Sequence, residues 1–371
     1  MRHRHPLKQV LIKTPSYWDR DQTPPRVRCA FGKVLRCQTA ELGAEIYTGD
    51  DGELIVYHTC KSRACPSCGY RANVQWLRER WAALPDGSYK GITFTMPDVL
   101  WPIFRDNRHL ANALPALAAS VIQAEASARY GLQVGVIGIL HTFNGQLNFN
   151  SHVHTMVSGG APSVHSGMWT TRIYYNRERL TGAWRRAVIQ LLRAALRMGL
   201  LRANTRVENM EALLTQQEGR WWSIKIQPFK SKEHFLRYAG RYVRRPPIAQ
   251  HRISFIGERS VTFWYKDKKQ RRRVYVKCSL EEFIDRWAQH IPECYQHTVR
   301  SFGLFAPRLL SQTSAAIFVL IGQTQRPRPK PRPWAVSLKR DFGRDPLLDG
   351  AGKRMRWIRR LPPKVDRHIN Q

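Results

Sequence analysis

The stretch NFNSHVHTMVSGG, residues 148–160, decides how the rest of the chain is interpreted. If it contains a β-strand, alternate side chains point to opposite faces, so His152 and His154 share one face. Two residues along a strand span ~6.6 Å, and rings leaning together from that separation can reach one metal ion through bonds of ~2.1 Å. The pair alone is equally compatible with two polar residues on a solvent-facing sheet. A second pair, His3 and His5, has no strand around it and is interpreted as chance.

The preceding stretch GVIGILHT adds a third histidine, His141, on a predicted strand of its own. The segment between the two strands is typical of a hairpin loop. A symmetric register then pairs His141 with His152 and points both side chains to the same face, with Cβ atoms ~5 Å apart. Three imidazoles on one face leave coordination positions open for water or a phosphate oxygen, as a catalytic metal site requires.

The charge balance of the chain points to a polyanion as its partner. The 371 residues carry a formal net charge of +34, and the pI is about 10.7. Nucleic acid is the commonest partner of so basic a protein. The 12 Trp, 13 Tyr and 14 Phe are interleaved with the cations, which suits stacking on unpaired bases. A basic surface without a specific partner is the alternative.

Several classes of protein are disfavoured by the sequence. The N-terminal residues lack the long apolar core of a secretory signal, and the apolar run from Ala315 to Ile321 is far shorter than the ~20 residues of a membrane span. It predicts a buried helix or strand. Five of the seven cysteines precede residue 70, and such clustering suggests a metal site rather than disulfides in a cytosolic chain.

Helical and strand patterns are mixed along the chain, with several hairpins, which predicts the α+β class. We expect a zinc-binding, DNA-binding region over residues 1–86, a catalytic domain over 87–310 and a basic Pro/Arg-rich tail over 311–371. The tail, which contains QRPRPKPRPW, is expected to be extended and largely disordered.

A pair of tyrosines lies in FLRYAGRYVRR, which predicts a helix that continues to the prolines at 246 and 247. Tyr238 and Tyr242 are four residues apart and so share one helix face. A tyrosine hydroxyl is a poor nucleophile at its ordinary pKa of about 10, and nearby cations would help it attack phosphorus. Two tyrosines at this spacing are also common in ordinary core packing. The candidate DNA-binding cations beside them are Arg237, Arg241, Arg244 and Arg245.

Taken together, these segments resemble the HUH superfamily of single-strand DNA nucleases, named for histidine, hydrophobic, histidine. More narrowly, the chain is similar to rolling-circle insertion-sequence transposases of the paired-tyrosine type with an N-terminal zinc region. The similarity runs in order through HTCKSRACPSCG, LHTFNGQLNFNSHVHTMVSGG, YAGRYVRRPPIAQHRI, VTFWYKD and EEFIDRWAQHIPECYQHTVRSFGLFA, and covers roughly residues 27–310.

This resemblance implies a fold, a mechanism and partners. The core would be a ferredoxin-like antiparallel sheet with the histidines on its exposed face. Mg²⁺ or Mn²⁺ would bind His141, His152 and His154, and Tyr238 or Tyr242 would form a 5′-phosphotyrosine link to single-stranded element ends. No nucleotide cofactor and no membrane would take part, and the protein would act at the nucleoid in the cytoplasm of a bacterium.

The zinc region departs from the family pattern, because the usual additional Cys-x-x-Cys is replaced by YTGDDGEL. Cys60, Cys65 and Cys68 remain the expected zinc ligands. The fourth ligand stays open between Cys37, His58 and Cys29, in that order of preference, and a second zinc is not expected.

Two other functions remain compatible with the sequence. A related HUH enzyme could initiate replication or mobilise a plasmid, although the cysteine knuckle and the closing segments favour transposition. A DNA-binding remnant without catalysis is the third interpretation, which the retained histidines and tyrosines disfavour.

Overall fold

The computed structural model describes residues 5–163, 166–171, 173–202, 209–243, 245–267 and 270–364. The helices are Pro6–Lys13 (α1), Pro15–Trp18 (α2), Pro25–Arg36 (α3), Pro66–Ala83 (α4), Trp101–Asp106 (α5), Arg108–Tyr130 (α6), Arg177–Arg197 (α7), Met210–Glu218 (α8), Lys232–Ala239 (α9), Leu280–Ala288 (α10), Pro307–Leu320 (α11) and Trp334–Phe342 (α12). The strands are Ala44–Gly49 (β1), Gly52–Tyr57 (β2), Tyr89–Phe94 (β3), Gly135–Phe143 (β4), Phe149–Ser158 (β5), Gly160–Pro162 (β6), Trp169–Thr171 (β7), Ile224–Phe229 (β8), Ile253–Ile256 (β9), Ser260–Lys266 (β10), Arg273–Ser279 (β11), Val299–Gly303 (β12) and Arg356–Leu361 (β13).

The main sheet has five strands in the order β12-β4-β5-β3-β8. Every neighbouring pair in it is antiparallel. With helices on the sheet and further small antiparallel sheets, the predicted α+β class is confirmed.

The predicted hairpin of β4 and β5 forms with the predicted register, which places His141 opposite His152. The symmetric loop explains why this register could be predicted, because a slip by one residue would turn every side chain to the other face. A bulge between His141 and Phe143 interrupts the ladder just beyond the pair.

The opposite face of the hairpin is apolar and packs against α6. Val153 and Val157 are fully buried there. The helix approaches β4 closely at Gly138, where an added Cβ would lie 3.0 Å from the Cβ of Pro115. The glycine therefore lets the helix lie against the sheet without a steric clash.

A second hydrophobic core joins the N-terminal helices to residues far along the chain. The ring of Phe31 in α3 lies 4.6 Å from that of Trp287 in α10, and Phe263 in β10 lies 5.7 Å from Phe283. Helix α10 and strand β10 lie within the predicted domain over residues 87–310. Their side chains nevertheless pack into the same hydrophobic core as the N-terminal helices of the cysteine-rich region.

The basic tail contains regular structure, so the prediction that it is largely disordered is not confirmed. Strand β13 pairs antiparallel with β1, and the indole nitrogen of Trp334 in α12 donates a hydrogen bond to the hydroxyl of Tyr47. The apolar run ending at Ile321 forms the end of α11, in which Ile317 and Phe318 are buried. Within the described ranges, no helix has the length and apolarity needed to cross a membrane.

Candidate histidine–tyrosine and cysteine sites

Three histidines from β4 and β5 meet on one face of the main sheet. The ring centroids of His141 and His152 are 5.1 Å apart, those of His152 and His154 are 4.9 Å apart, and those of His141 and His154 are 5.6 Å apart. One ring nitrogen from each residue lies within 4.8 Å of the others. The three imidazoles are therefore close enough to share one metal ion.

Two features of the ring nitrogens suit metal binding. The Nδ1 of His152 lies 2.7 Å from the carbonyl oxygen of Asn150; a carbonyl can only accept, so this nitrogen carries the proton and Nε2 carries the lone pair. The Nε2 of His141 is buried and has no hydrogen-bond partner among the described residues. A buried nitrogen without a partner is costly, and a bound cation would remove that cost.

The charge state of His141 is also suited to coordination. Burial lowers the pKa of His141 well below its ordinary value, and proximity to His152 and His154 lowers that pKa further. A neutral imidazole is the form that binds a metal. His141 is thus suited to present a lone pair rather than a proton near neutral pH.

Both tyrosines contact the histidines. The Tyr238 hydroxyl lies 3.3 Å from Nδ1 of His154 and 3.3 Å from the hydroxyl of Thr93. The Tyr242 ring stacks on the ring of His154 at 3.6 Å and meets that of His141 edge-on at 5.6 Å. Burial, followed by the influence of Tyr238, raises the pKa of Tyr242 to about 12.

Two expectations about this region need correction. Helix α9 ends at Ala239 rather than continuing to residue 245, although the following turn keeps the two tyrosine rings 5.0 Å apart. The histidine face is not exposed: His141 and His154 are only 7% and 6% accessible. We call residues 238–245 the tyrosine turn. It covers the face because its tyrosine rings pack directly on the imidazoles.

The four arginines predicted to bind DNA lie in different environments. Arg237 forms an ion pair with Glu233, one helical turn away, at 2.6 Å. Arg241 is exposed, and Nε of Arg245 donates a hydrogen bond to the carbonyl oxygen of Gly240 at 3.0 Å. Arg244 lies outside the described residues.

Four cysteines form a second cluster at the N-terminal end of α4. The sulfur of Cys68 lies 3.7 Å from that of Cys37 and 3.6 Å from that of Cys60, and the sulfur of Cys65 lies 3.7 Å from that of Cys37. A zinc tetrahedron with bonds of ~2.3 Å has sulfur–sulfur edges of ~3.8 Å. The spacing therefore matches a closed four-thiolate zinc site.

The chemistry of the four thiols supports the same assignment. Hydrogen bonding from Cys37, and then from Cys60 and Cys65, holds the pKa of Cys68 far below its usual range, while the pKa of Cys65 is raised. Four thiolates this close repel one another, so all of them can ionise together only around a cation. The cluster therefore supports Zn²⁺ as the metal that the four cysteines bind.

The other two candidates for the fourth ligand lie elsewhere. The ring of His58 is 3.0 Å from the carbonyl oxygen of Leu42 and 3.1 Å from the carboxylate of Glu45, and Cys29 is exposed. The structure brings Cys37 into the cluster instead.

One residue beside this cluster was missed by the sequence analysis. His5 caps α1, with Nδ1 accepting from the backbone nitrogen of Lys8 at 3.4 Å. Its Nε2 then carries the proton and lies 3.8 Å from the sulfur of Cys65. Interpreting His5 as chance overlooked this contact, and no local pattern predicts it because 60 residues separate the partners.

Helix α4, which carries Cys68, contacts the tyrosine turn. The side-chain nitrogen of Asn73 donates a 2.9 Å hydrogen bond to the carbonyl oxygen of Gly240, which lies between the two tyrosines. The same oxygen accepts the bond from Arg245. The cysteine cluster and the histidine–tyrosine site are thus joined by a buried contact.

Comparisons with known proteins identify both parts of the chain. Residues 135–313 match the family described as "Putative transposase", and residues 10–96 match the family described as "Transposase zinc-binding domain", of the IS91 type. The first match contains the three histidines and both tyrosines, and the second contains the four clustered cysteines. No solved structure matches the chain.

Two relatives cover most of the chain. It is 31% identical over 321 residues to the transposase for insertion sequence element IS801 of Pseudomonas savastanoi pv. phaseolicola. The aligned region covers 84% of this chain and 77% of that protein. It is 29% identical over 305 residues to "Putative transposase y4qJ" of Sinorhizobium fredii (strain NBRC 101917 / NGR234), with 78% of this chain and 76% of that protein covered.

Proposed function

This chain belongs to the IS91 family of insertion-sequence transposases, and on that premise we propose that it nicks and rejoins single-stranded DNA at element ends through a 5′-phosphotyrosine intermediate. The observation that carries the proposal is the direct packing of two tyrosines on three histidines that can share a metal ion.

In the proposed reaction, a tyrosine oxygen attacks the phosphorus of the scissile phosphodiester. The bond from phosphorus to the 3′ oxygen breaks, the 5′ end stays on the tyrosine, and the tyrosine proton passes to solvent while the 3′ oxygen takes one up. A 3′-hydroxyl later attacks the phosphotyrosine and restores a phosphodiester. Tyr238 and Tyr242 would each carry one strand, as rolling-circle transposition requires, and no nucleotide cofactor is consumed.

His141, His152 and His154 would hold the divalent cation, Mg²⁺ or Mn²⁺, and leave positions open for phosphate oxygens. The bound cation would supply positive charge beside the scissile phosphate and make its phosphorus more electrophilic. Three imidazoles also accept Zn²⁺, so the cleavage assay compares all three ions.

The tyrosines need help to react at neutral pH. With a pKa of about 12, Tyr242 stays protonated unless positive charge is added nearby. The hydroxyl of Tyr238 is positioned by Thr93 and His154, each 3.3 Å away. These contacts orient the nucleophile, while the cation and the arginines of the tyrosine turn would stabilise the charge that develops on phosphate.

The finer features of fold and setting follow from the same proposal. We interpret the five-stranded sheet as the ferredoxin-like core of an HUH nuclease. Residues 1–86 would contribute zinc-dependent DNA binding, residues 87–310 catalysis and residues 311–371 basic contacts. The enzyme would act on DNA at the bacterial nucleoid.

A covalent adduct tests the function directly. The protein is incubated with single-stranded DNA carrying the element's terminus and Mn²⁺, Mg²⁺ or Zn²⁺, and resolved on a denaturing gel. We expect a slower protein–DNA band that EDTA abolishes and that the double variant Tyr238→Phe/Tyr242→Phe does not form. The matched control is Tyr295→Phe, because Tyr295 is almost fully exposed and lies outside the site.

Two results of this assay would contradict parts of the proposal. The absence of an adduct with the correct end and each metal would reject cleavage and leave only DNA binding. An adduct that survives in the double variant would reject the two tyrosines as nucleophiles while keeping covalent chemistry.

A further inference from the structure

A small pocket lies where the cysteine cluster meets the tyrosine turn. We call residues 60–68, which carry three of the four clustered cysteines, the zinc knuckle. The pocket is lined by this knuckle, α5, α6, the end of β4, the residues after the tyrosine turn and the segment after α10. Its volume of about 30 Å³ has room for about one water-sized group.

The walls of this pocket are cationic. Arg63, Arg108 and Arg245 line it, and none of the described residues that line it is an aspartate or a glutamate. The carboxylate of nearby Glu293 is not part of the lining and pairs with Arg26 at 3.3 Å. Three guanidinium groups in a lining that contains no carboxylate favour an anionic ligand with oxygen acceptors.

The three guanidinium groups have different roles. Arg108 is buried and donates to the carbonyl oxygens of Gln289 and Ile291, so its charge is held inside the wall. Arg245 uses Nε to bind the carbonyl oxygen of Gly240, which orients its two terminal nitrogens. Arg63 lies between Cys60 and Cys65, so the cysteine cluster determines where its side chain begins.

The pocket is next to the histidine site. Thr142 and Phe143, two of its lining residues, directly follow His141 in β4. The Phe143 ring lies 3.9 Å from the His141 ring. A ligand in the pocket would therefore be a near neighbour of one at the histidines.

We propose that this pocket binds one phosphodiester of the DNA strand next to the phosphate that is cleaved, with Arg63 of the zinc knuckle and Arg245 of the tyrosine turn as its donors. One nonbridging oxygen enters the pocket, and the rest of the phosphate lies at its mouth. The inference rests on the proposed function, and it makes the zinc knuckle part of the substrate site.

Binding of DNA by matched variants tests the pocket without cleavage. Arg63→Gln is compared with Lys61→Gln, which removes the same charge from an exposed position in the same loop. The probe is a fluorescein-labelled single-stranded oligonucleotide measured by anisotropy in EDTA-free buffer without added divalent cation, and zinc content is checked for each protein. We expect about tenfold weaker binding for Arg63→Gln and less than about twofold for Lys61→Gln.

A shared phosphate also predicts coupling between the two donors. Arg245→Gln should weaken binding, and the double variant should lose less than the product of the two single losses. Independent losses would place the arginines on different phosphates, and an equal loss in Lys61→Gln would mean diffuse attraction. Either result would overturn the proposal.

A change on the DNA side covers the case in which Arg63→Gln loses zinc or fails to fold. A neutral methylphosphonate is placed at single positions flanking the cleaved phosphate, and binding by the unaltered protein is measured. One position should weaken binding about tenfold, and no sensitive position would overturn the subsite. If an adduct forms but no position or arginine matters, the pocket fails while the proposed function survives. Binding that depends on Arg63 without an adduct leaves a phosphate subsite but rejects cleavage.

Discussion

The cysteine cluster and the histidine cluster are both largely buried groups of potential metal ligands, yet their chemistry differs. Cys37, Cys60, Cys65 and Cys68 offer four sulfur atoms spaced as the corners of a tetrahedron. The histidine cluster offers three nitrogens and has tyrosines packed on it. Four soft ligands close a site around zinc, whereas three leave it open to a reacting group.

The two clusters also differ in how the chain assembles them. The histidines come from one hairpin, so local register brings them together. The cysteines come from the C-terminal end of α3, the segment after β2 and the start of α4, and His5 at the start of α1 contacts Cys65. An open set of ligands can thus rest on a single hairpin, whereas a closed set links the separate segments that supply it.

Loss of the cysteine site should have the largest effect, because zinc binding contributes directly to folding. For Cys65→Ser we expect loss of zinc and a decrease in the free energy of unfolding of the order of 5 kcal/mol. Zinc content and urea unfolding measure both. Cys29→Ser, which changes an exposed cysteine outside the cluster, should match the parent protein. A zinc-free variant of unchanged stability would remove the structural role.

Loss of one histidine should leave the fold intact but stop the reaction. We expect His152→Ala to slow adduct formation about 10³-fold, since a catalytic metal contributes several kcal/mol to the transition state. Its unfolding midpoint and single-strand binding should stay nearly unchanged, because His152 is partly exposed. Gel assays and thermal unfolding compare the two effects. A large fall in stability would instead make the two clusters alike.

Acidic pH should lower the stability of the protein through His290, which lies beside the hairpin of β4 and β5. Burial lowers the pKa of His290 to about 4. Below its ordinary value of 6.5 the unfolded chain binds a proton that the folded chain does not, so stability falls as the pH drops from about 6.5 to about 4. We expect this group to contribute a loss of about 3 kcal/mol. Urea unfolding above and within this window should show a shallower pH dependence in His290→Gln, and parallel curves would contradict the assignment.

The smallest expected effect concerns the contact that links the two sites. Asn73→Ala removes the hydrogen bond to Gly240, while Arg245 still donates to the same oxygen. We expect a loss of about 1 kcal/mol in stability and slower adduct formation with unchanged zinc content. Arg71→Ala, at an exposed position of the same helix, is the control. If Asn73→Ala leaves the rate of adduct formation unchanged, the two clusters work independently.

The α+β class, the hairpin and the pairing of His141 with His152 could all be predicted from the amino-acid sequence. These features depend on alternation and on a symmetric loop, which act between residues close together in the chain. The sequence also predicted that Tyr238 and Tyr242 would lie side by side, even though helix α9 ends before Tyr242. Local geometry was enough in each case.

Contacts between residues far apart in the chain could not be predicted and are seen in the folded protein alone. In the fold, Cys37 and not His58 lies beside the other cysteines, His5 contacts Cys65, and β13 pairs with β1. The tyrosine turn also covers the histidine face. Such contacts depend on how whole elements pack. Burial of apolar surface can stabilise many different arrangements, and short-range sequence patterns do not distinguish between them.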